Sequence, residues 1–254
     1  MKYISLLLLL ALSCQQPKED ALSAEALGHD VYELDETAAE SMDFSEDGPK
    51  MTDWDRRFLD AGLVNIQSVI PEVIVDLKYS STDNFFGRDV YDDLENAYLQ
   101  PEVAEMLLKA YQNLQIKNSD LTFLIYDAVR PRTVQQILWD NLEKPDSLKP
   151  LYVADPKVGS LHNFGVAVDL TLADKQTGQS LDMGTEYDYF GYPAYPDREE
   201  QMLREGKITQ DQVNNRKLLR EVMLGAGFTG IGSEWWHFNA FSRKVAGQKF
   251  EIIP

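Results

Sequence analysis

The sequence predicts an α+β domain in which helices pack on a mainly antiparallel central sheet. From Trp54 onward, strand-like and helix-like pieces alternate without an internal repeat, and long irregular connections separate them. Apolar spacing switches between periods of two and 3.6 residues along the same stretch. With 254 residues, 44% hydrophobic and 11% aromatic, the chain can bury one substantial core, so a single globular domain is expected over 53–254.

Val73-Ile74-Val75-Asp76-Leu77 reads as a short strand. Pro101 opens a helix, where its missing N–H is harmless, and Val103, Met106, Leu107, Ala110 and Leu114 share one face. Leu121 to Tyr126 reads as a buried strand. A second helix follows Arg130-Pro131, with Val134, Ile137, Leu138 and Leu142 on one face. Arg130, which precedes proline, is pushed towards extended geometry and so belongs at a strand-to-helix junction. Thr209 and Gln212 match a capping box for a third helix, which stops at Gly225-Ala226-Gly227.

The N-terminus is of another kind. Lys2 precedes a largely apolar run from Ile4 to Leu12, and such a run is too short for a bilayer, which takes about 20 residues. Residues 1–13 read as a signal peptide. Cys14 is the only cysteine, and Ala11-Leu12-Ser13-Cys14 resembles the lipobox of bacterial lipoproteins; the alternative is an ordinary secretory signal in which Cys14 is incidental. The lipobox resemblance implies an exported cell-envelope lipoprotein, held to a membrane through Cys14 and facing the periplasm or attached to the outer membrane. No disulfide can form within the chain, so packing must supply the stability.

Residues 14–52 read as a solvated acidic tether. Between Glu19 and Asp47 stand 11 acidic residues and no Lys or Arg, which accounts for most of the net charge of −18. Like-charged segments of low hydrophobicity do not bury enough apolar surface to fold. A flexible tether of this length spans roughly 30–36 Å, enough to hold a domain away from a surface. No basic patch is left to contact nucleic acid, and His29 in this tail has no partner pattern.

Two of the three histidines lie in distinctive settings, Ser160-Leu161-His162-Asn163-Phe164-Gly165-Val166-Ala167-Val168-Asp169 and Ser233-Glu234-Trp235-Trp236-His237. Within a strand from Val166 to Leu172, alternation puts Val166, Val168, Leu170 and Leu172 on one face and Ala167, Asp169 and Thr171 on the other. Asp169 then points away from the apolar side, beside small neighbours that leave room for an ion. Two imidazoles and a carboxylate make a three-ligand zinc site with an open position for water. Glu234 has three available roles: proton acceptor from that water, fourth ligand, or brace behind the ligands.

These two runs resemble the signatures of the D-alanyl-D-alanine dipeptidase family, zinc peptidases that process peptidoglycan stems. Three further stretches share the resemblance: Asp76-Leu77-Lys78-Tyr79 with Asp83-Asn84-Phe85, Asp127-Ala128-Val129-Arg130-Pro131, and Asp182-Met183-Gly184-Thr185-Glu186-Tyr187-Asp188. Together they cover residues of about 65 to 245, and five ordered blocks are far more specific than one short motif. The resemblance implies a single zinc-peptidase domain holding one zinc ion, with His162, Asp169 and His237 as ligands and Glu234 as general base. It also implies Arg130 as stabiliser of the tetrahedral oxyanion, Asp188 as receptor for the ammonium of D-Ala-D-Ala, and Ser160 as a hydroxyl near the dipeptide. Arg130 has a simpler reading as a structural ion pair with Asp127, and Asp188 one as a turn residue.

Val129 stands where the family usually has Tyr and Tyr187 where Phe is common, changes expected to touch pocket lining rather than metal chemistry. Rival expectations are a D,D- or L,D-carboxypeptidase with the same metal chemistry, a non-catalytic wall-binding lipoprotein, and a non-haem iron enzyme, whose facial triad also uses two histidines and a carboxylate.

Overall fold

The computed structural model describes residues 51–254; the signal peptide, Cys14, His29 and all but the end of the acidic tether lie outside the described residues. In chain order the elements are α1 (Asp53–Asp60), β1 (Val64–Asn65), α2 (Ile66–Val69), β2 (Ile74–Val75), β3 (Tyr98–Leu99), α3 (Pro101–Lys117), β4 (Leu121–Asp127) and α4 (Arg132–Asn141). They continue with β5 (Ala167–Asp174), α5 (Glu199–Arg204), α6 (Gln210–Gly225), β6 (Thr229–Gly230), β7 (His237–Asn239) and α7 (Arg243–Lys249). The central sheet has the order β2-β4-β5-β7-β6, and β1 pairs with β3 in a separate two-stranded ribbon. Only the β2–β4 pairing in the central sheet is parallel; the other three are antiparallel. The domain is therefore α+β with a mainly antiparallel sheet, as the alternating pattern predicts.

The helical layer covers one face of this sheet. Tyr111 of α3 meets Phe123 of β4 edge-on at 6.0 Å, and Phe123 pairs across the ladder with Leu172, so Val168, Leu170 and Leu172 lie under the helices. All three are fully buried. Ala167, Asp169 and Thr171 alternate onto the opposite face and are just as buried, because β5 is the middle strand and the loops close over that side too. The polar side expected around Asp169 is thus an enclosed interior, not a solvent-facing one.

Local differences from the sequence pattern have physical causes. The strand expected over Val73–Leu77 contracts to Ile74–Val75, an edge strand, because Lys78–Ser80 coil into a 3-10 turn. Helix α3 buries Ala104 and Tyr111 beside Val103, Leu107, Ala110 and Leu114, while Met106 is half-exposed. In α4 the apolar face is rotated: Ile137 is 39% exposed, whereas Gln135 is fully buried because its side chain serves Arg130.

The capping box at α6 forms as the sequence indicates, with Thr209 Oγ1 accepting from Gln212 N–H and Gln212 Oε1 accepting from Thr209 N–H. Thr209→Ala should therefore lower unfolding stability by about 1 kcal/mol. Urea denaturation checks this, and an unchanged midpoint would show that the cap is redundant.

Candidate active site

Strand register assembles the centre. Asp169 of β5 pairs with His237 of β7 on one side and with Asp127 of β4 on the other. Regular pairing would set Asp169 opposite Tyr126, but the register shifts between Ile125 and Asp127, leaving Tyr126 as the extra residue of a bulge. The shift carries Asp127 alongside Asp169, so three polar side chains stand abreast on three strands.

His162 reaches the same point from the 3-10 turn His162–Phe164 that precedes β5. Gly165 ends this turn at φ 67°, a left-handed conformation that favours glycine, and a Cβ there would also have to displace the Leu63 methyl 2.9 Å away. The turn is tied to the Ala128–Arg130 segment by Arg130 N–H to His162 O at 3.1 Å and Asn163 Nδ2 to Arg130 O at 2.6 Å.

Three donor atoms converge. His162 Nε2 and His237 Nδ1 are 3.2 Å apart, and Asp169 Oδ1 lies 3.4 Å from the former and 2.9 Å from the latter. Tetrahedral coordination at zinc bond lengths separates neighbouring donors by about 3.3 Å, so this spacing suits a small divalent cation. The surrounding partners orient each donor. Ala128 O, an acceptor, lies 2.7 Å from His162 Nδ1, which assigns a proton to Nδ1 and leaves Nε2 for the metal. Asn239 Oδ1 at 2.9 Å does the same for His237 Nε2. Tyr187 OH donates to Asp169 Oδ2 at 2.8 Å. The residues present fit a metal ion.

Charges around the cluster respond strongly to one another. Burial would lift the Asp169 carboxyl, but its electrostatic interaction and hydrogen bonding with the two neighbouring imidazoles bring it well below the usual carboxylate range. Burial works against a proton on His237 as well, and the hydrogen bond and charge of Asp169 override it, raising the imidazole to about 9. For Asp188 the balance goes the other way: burial, then the negative charge of Asp169, outweigh the charge of Arg130 and the bond from Tyr79 and push its carboxyl well above its ordinary value. Burial also raises Glu234, against the pull of His237.

The other expected residues border the same cavity of ≈ 240 Å³. Glu234 Oε2 is 4.0 Å from His237 Nδ1 and is not part of the three-residue cluster. Asp188, in the left-handed region at φ 57°, accepts from Tyr79 OH at 3.0 Å. Arg130 sits between β4 and α4, as the proline predicts; its Nε donates to Asp127 Oδ2 at 2.8 Å and its Nη1 to Gln135 Oε1 at 3.1 Å. The ion pair with Asp127 therefore exists, and the guanidinium it steadies also borders the cavity, with Nη2 3.9 Å from Asp169 Oδ2 and the group stacked over Tyr79. Ser160 borders the cavity too, and its hydroxyl accepts from His162 N–H at 3.3 Å. A larger cavity of ≈ 510 Å³, lined in part by Asp182, Lys207 and Trp235, holds none of the three donors.

Residues 59–253 match the Peptidase_M15 family, described as D-ala-D-ala dipeptidase. The chain belongs to this family. A D-alanyl-D-alanine dipeptidase of Escherichia coli is 37% identical over 176 residues, 69% of this chain and 83% of that protein. One of Enterococcus faecium is 27% identical over 197 residues, 71% of this chain and 92% of that protein. Among solved structures, the LdcB LD-carboxypeptidase aligns at 17% identity and a TM-score of 0.39, over 74% of this chain and 72% of that one.

This member of the dipeptidase family is thus a peptidase, and several residues around its centre are not evident from motif reading. Gln135 joins the expected Asp127 in clamping Arg130, Asn239 braces His237, and Tyr79 holds Asp188. Tyr187 departs from the expectation of mere pocket lining, since its hydroxyl bonds a ligand carboxylate, which Phe could not do. A polar residue on the inner face of α4 and an Asn two residues after His237 were the available signals.

The proton on metal-free His237 must leave before Nδ1 can coordinate, so affinity for a divalent cation should fall about tenfold per pH unit below 9 and level off above it. Isothermal titration across pH 6–10 checks the slope, and a flat profile contradicts the assignment. Asn239→Ala, which removes the partner of Nε2, should weaken metal affinity about 10- to 100-fold.

Proposed function

We propose that this chain hydrolyses the D-alanyl-D-alanine dipeptide in the bacterial cell envelope, using one zinc ion held by His162, Asp169 and His237. The observation that carries this reading is a single small cavity in which three converging donor atoms, a buried carboxyl in need of a cation and a clamped guanidinium face one another. Its ≈ 240 Å³ is below the roughly 300–1,000 Å³ of sites for drug-sized ligands, in keeping with a substrate of two small residues. The family match and the relatives named D-alanyl-D-alanine dipeptidase support the same substrate. Two imidazoles and one carboxylate are the donor set of hydrolytic zinc sites with an open position.

Zinc in this site supplies Lewis acidity, lowering the pKa of water to about 7. Glu234, whose affinity for protons is raised by burial, takes the proton from the attacking water and returns it to the departing amine. Its 4.0 Å separation from His237 Nδ1 favours this role over that of a fourth ligand. Asp188 receives the ammonium of the dipeptide; a cation beside it relieves the cost of a carboxylate buried near Asp169. An N-acylated chain lacks that cation, which makes Asp188 the element that separates a dipeptidase from a carboxypeptidase. Arg130, immobilised by Asp127 and Gln135, directs its positive charge at the oxyanion that develops on the carbonyl. Ser160 contributes a hydroxyl beside the dipeptide and caps the turn that presents His162.

Export and attachment belong to the same reading. The apolar run before Cys14 and the acidic tether after it support a lipid-anchored domain facing the periplasm or held at the outer membrane. Among the described residues, no helix is long and apolar enough to cross a membrane.

Arg130→Ala should lower kcat by about 10²–10³ with little change in KM, in steady-state assays of D-Ala-D-Ala with metal content measured in parallel. A change confined to KM would contradict the oxyanion role. Asp188→Ala should abolish the preference for D-Ala-D-Ala over its N-acetyl derivative. Equal cleavage of both substrates by the parent protein would favour a carboxypeptidase, and iron in place of zinc in active material would favour an oxygenase.

A further inference from the structure

Arg216 of α6 is an unusual group to bury: its side chain is fully enclosed, and neither Nη1 nor Nη2 finds a hydrogen-bond partner among the described residues. Nη1 stands 3.9 Å from Glu199 Oε1, but Glu199 is already held bidentately by Arg220 at 3.1 and 2.8 Å. Burial pulls its pKa down to about 10, which leaves it charged at neutral pH. A buried, half-satisfied cation costs stability, and an apolar side chain of similar length would cost less.

What the guanidinium does make is a short bond from Nε to Met183 O at 2.6 Å. It also lies 5.8 Å from the Trp235 ring. Gln212 and Asn215, on the same helix, hold Asp182 through its side chain at 2.7 Å and its carbonyl at 2.9 Å. Trp235 in turn donates from Nε1 to Thr185 Oγ1 at 2.8 Å. Arg216 therefore sits where two cavity-forming segments meet. One, 182–188, ends in Tyr187 and Asp188, and the other, 233–237, carries Glu234 and His237.

We propose that Arg216 is a positioning residue for dipeptide binding, fixing the segment that bears Asp188 through the carbonyl of Met183 and bracing it against Trp235. This rests on the dipeptidase reading above. Arg216→Gln and Arg216→Met test it as a matched pair: glutamine places an amide nitrogen where Arg216 has Nε and keeps the donor, whereas methionine has the same length and none.

Arg216→Met should raise KM for D-Ala-D-Ala about five- to tenfold with kcat within about twofold, the effect of losing one buried hydrogen bond. It should also speed amide hydrogen exchange over 184–188, and Arg216→Gln should restore both towards the parent values. Unchanged KM and exchange in Arg216→Met, a lower kcat at unchanged KM as simple loss of folded protein gives, or identical behaviour of the two variants would each overturn the proposal. Failure of the parent protein to hydrolyse the dipeptide overturns the functional reading instead, and is distinguishable because exchange still separates the two variants.

Discussion

A carboxylate enclosed in the middle of the sheet governs this domain. Asp169 is 3% exposed on the central strand, flanked by chains on both sides, and a lone negative charge there would be expensive. Each neighbour is accounted for by that charge: two imidazoles approach one oxygen, a phenol donates to the other, and an arginine stands behind. A divalent cation completes what these groups only partly neutralise. Much of the chain around this point is devoted to holding partners in place, from the turn that delivers His162 to the strand that delivers His237.

The arrangement also separates tasks between two kinds of scaffold. Donor atoms come from the sheet and the turn leading into it, where hydrogen-bonded ladders resist displacement. Groups assigned to the substrate come from irregular segments, Arg130 from a junction and Asp188 from a loop, each secured by side chains. Rigid metal geometry and adjustable specificity can then change independently. The loop is nevertheless well tethered, since α6 and Trp235 grip it at successive points before Asp188.

Some of this was legible in the sequence and some was not, for identifiable reasons. His162, Asp169 and His237 stand out because few other histidines compete with them and because a carboxylate within an apolar strand demands a partner. Helix α3, strand β4 and the cap of α6 follow from periodicity and short-range chemistry. Strands β6 and β7, with two and three residues, are too short to show a period, so the pairing of His237 with Asp169 was hidden. Gln135 defeated the expected face of α4, because a buried polar residue makes sense only once Arg130 is seen beside it. The pairing of Asp127 with Arg130 was open to sequence reading, but its place beside Asp169, like that of Asn239 beside His237, is legible only through the register of strands distant in sequence.

The extra residue at Tyr126 limits how a lineage carrying this fold can vary. Were that strand to run on in regular alternation with Tyr126 paired, Asp127 would turn to the helical side of the sheet, leaving Arg130 without its counter-charge and placing an acid among aliphatic side chains. Insertions in the exposed stretch around Glu143 and Asp146 would disturb no such alignment. Length variation among descendants should therefore accumulate in that outer loop, while the spacing from Leu121 to Arg130 stays constant even as the identities of its apolar residues drift.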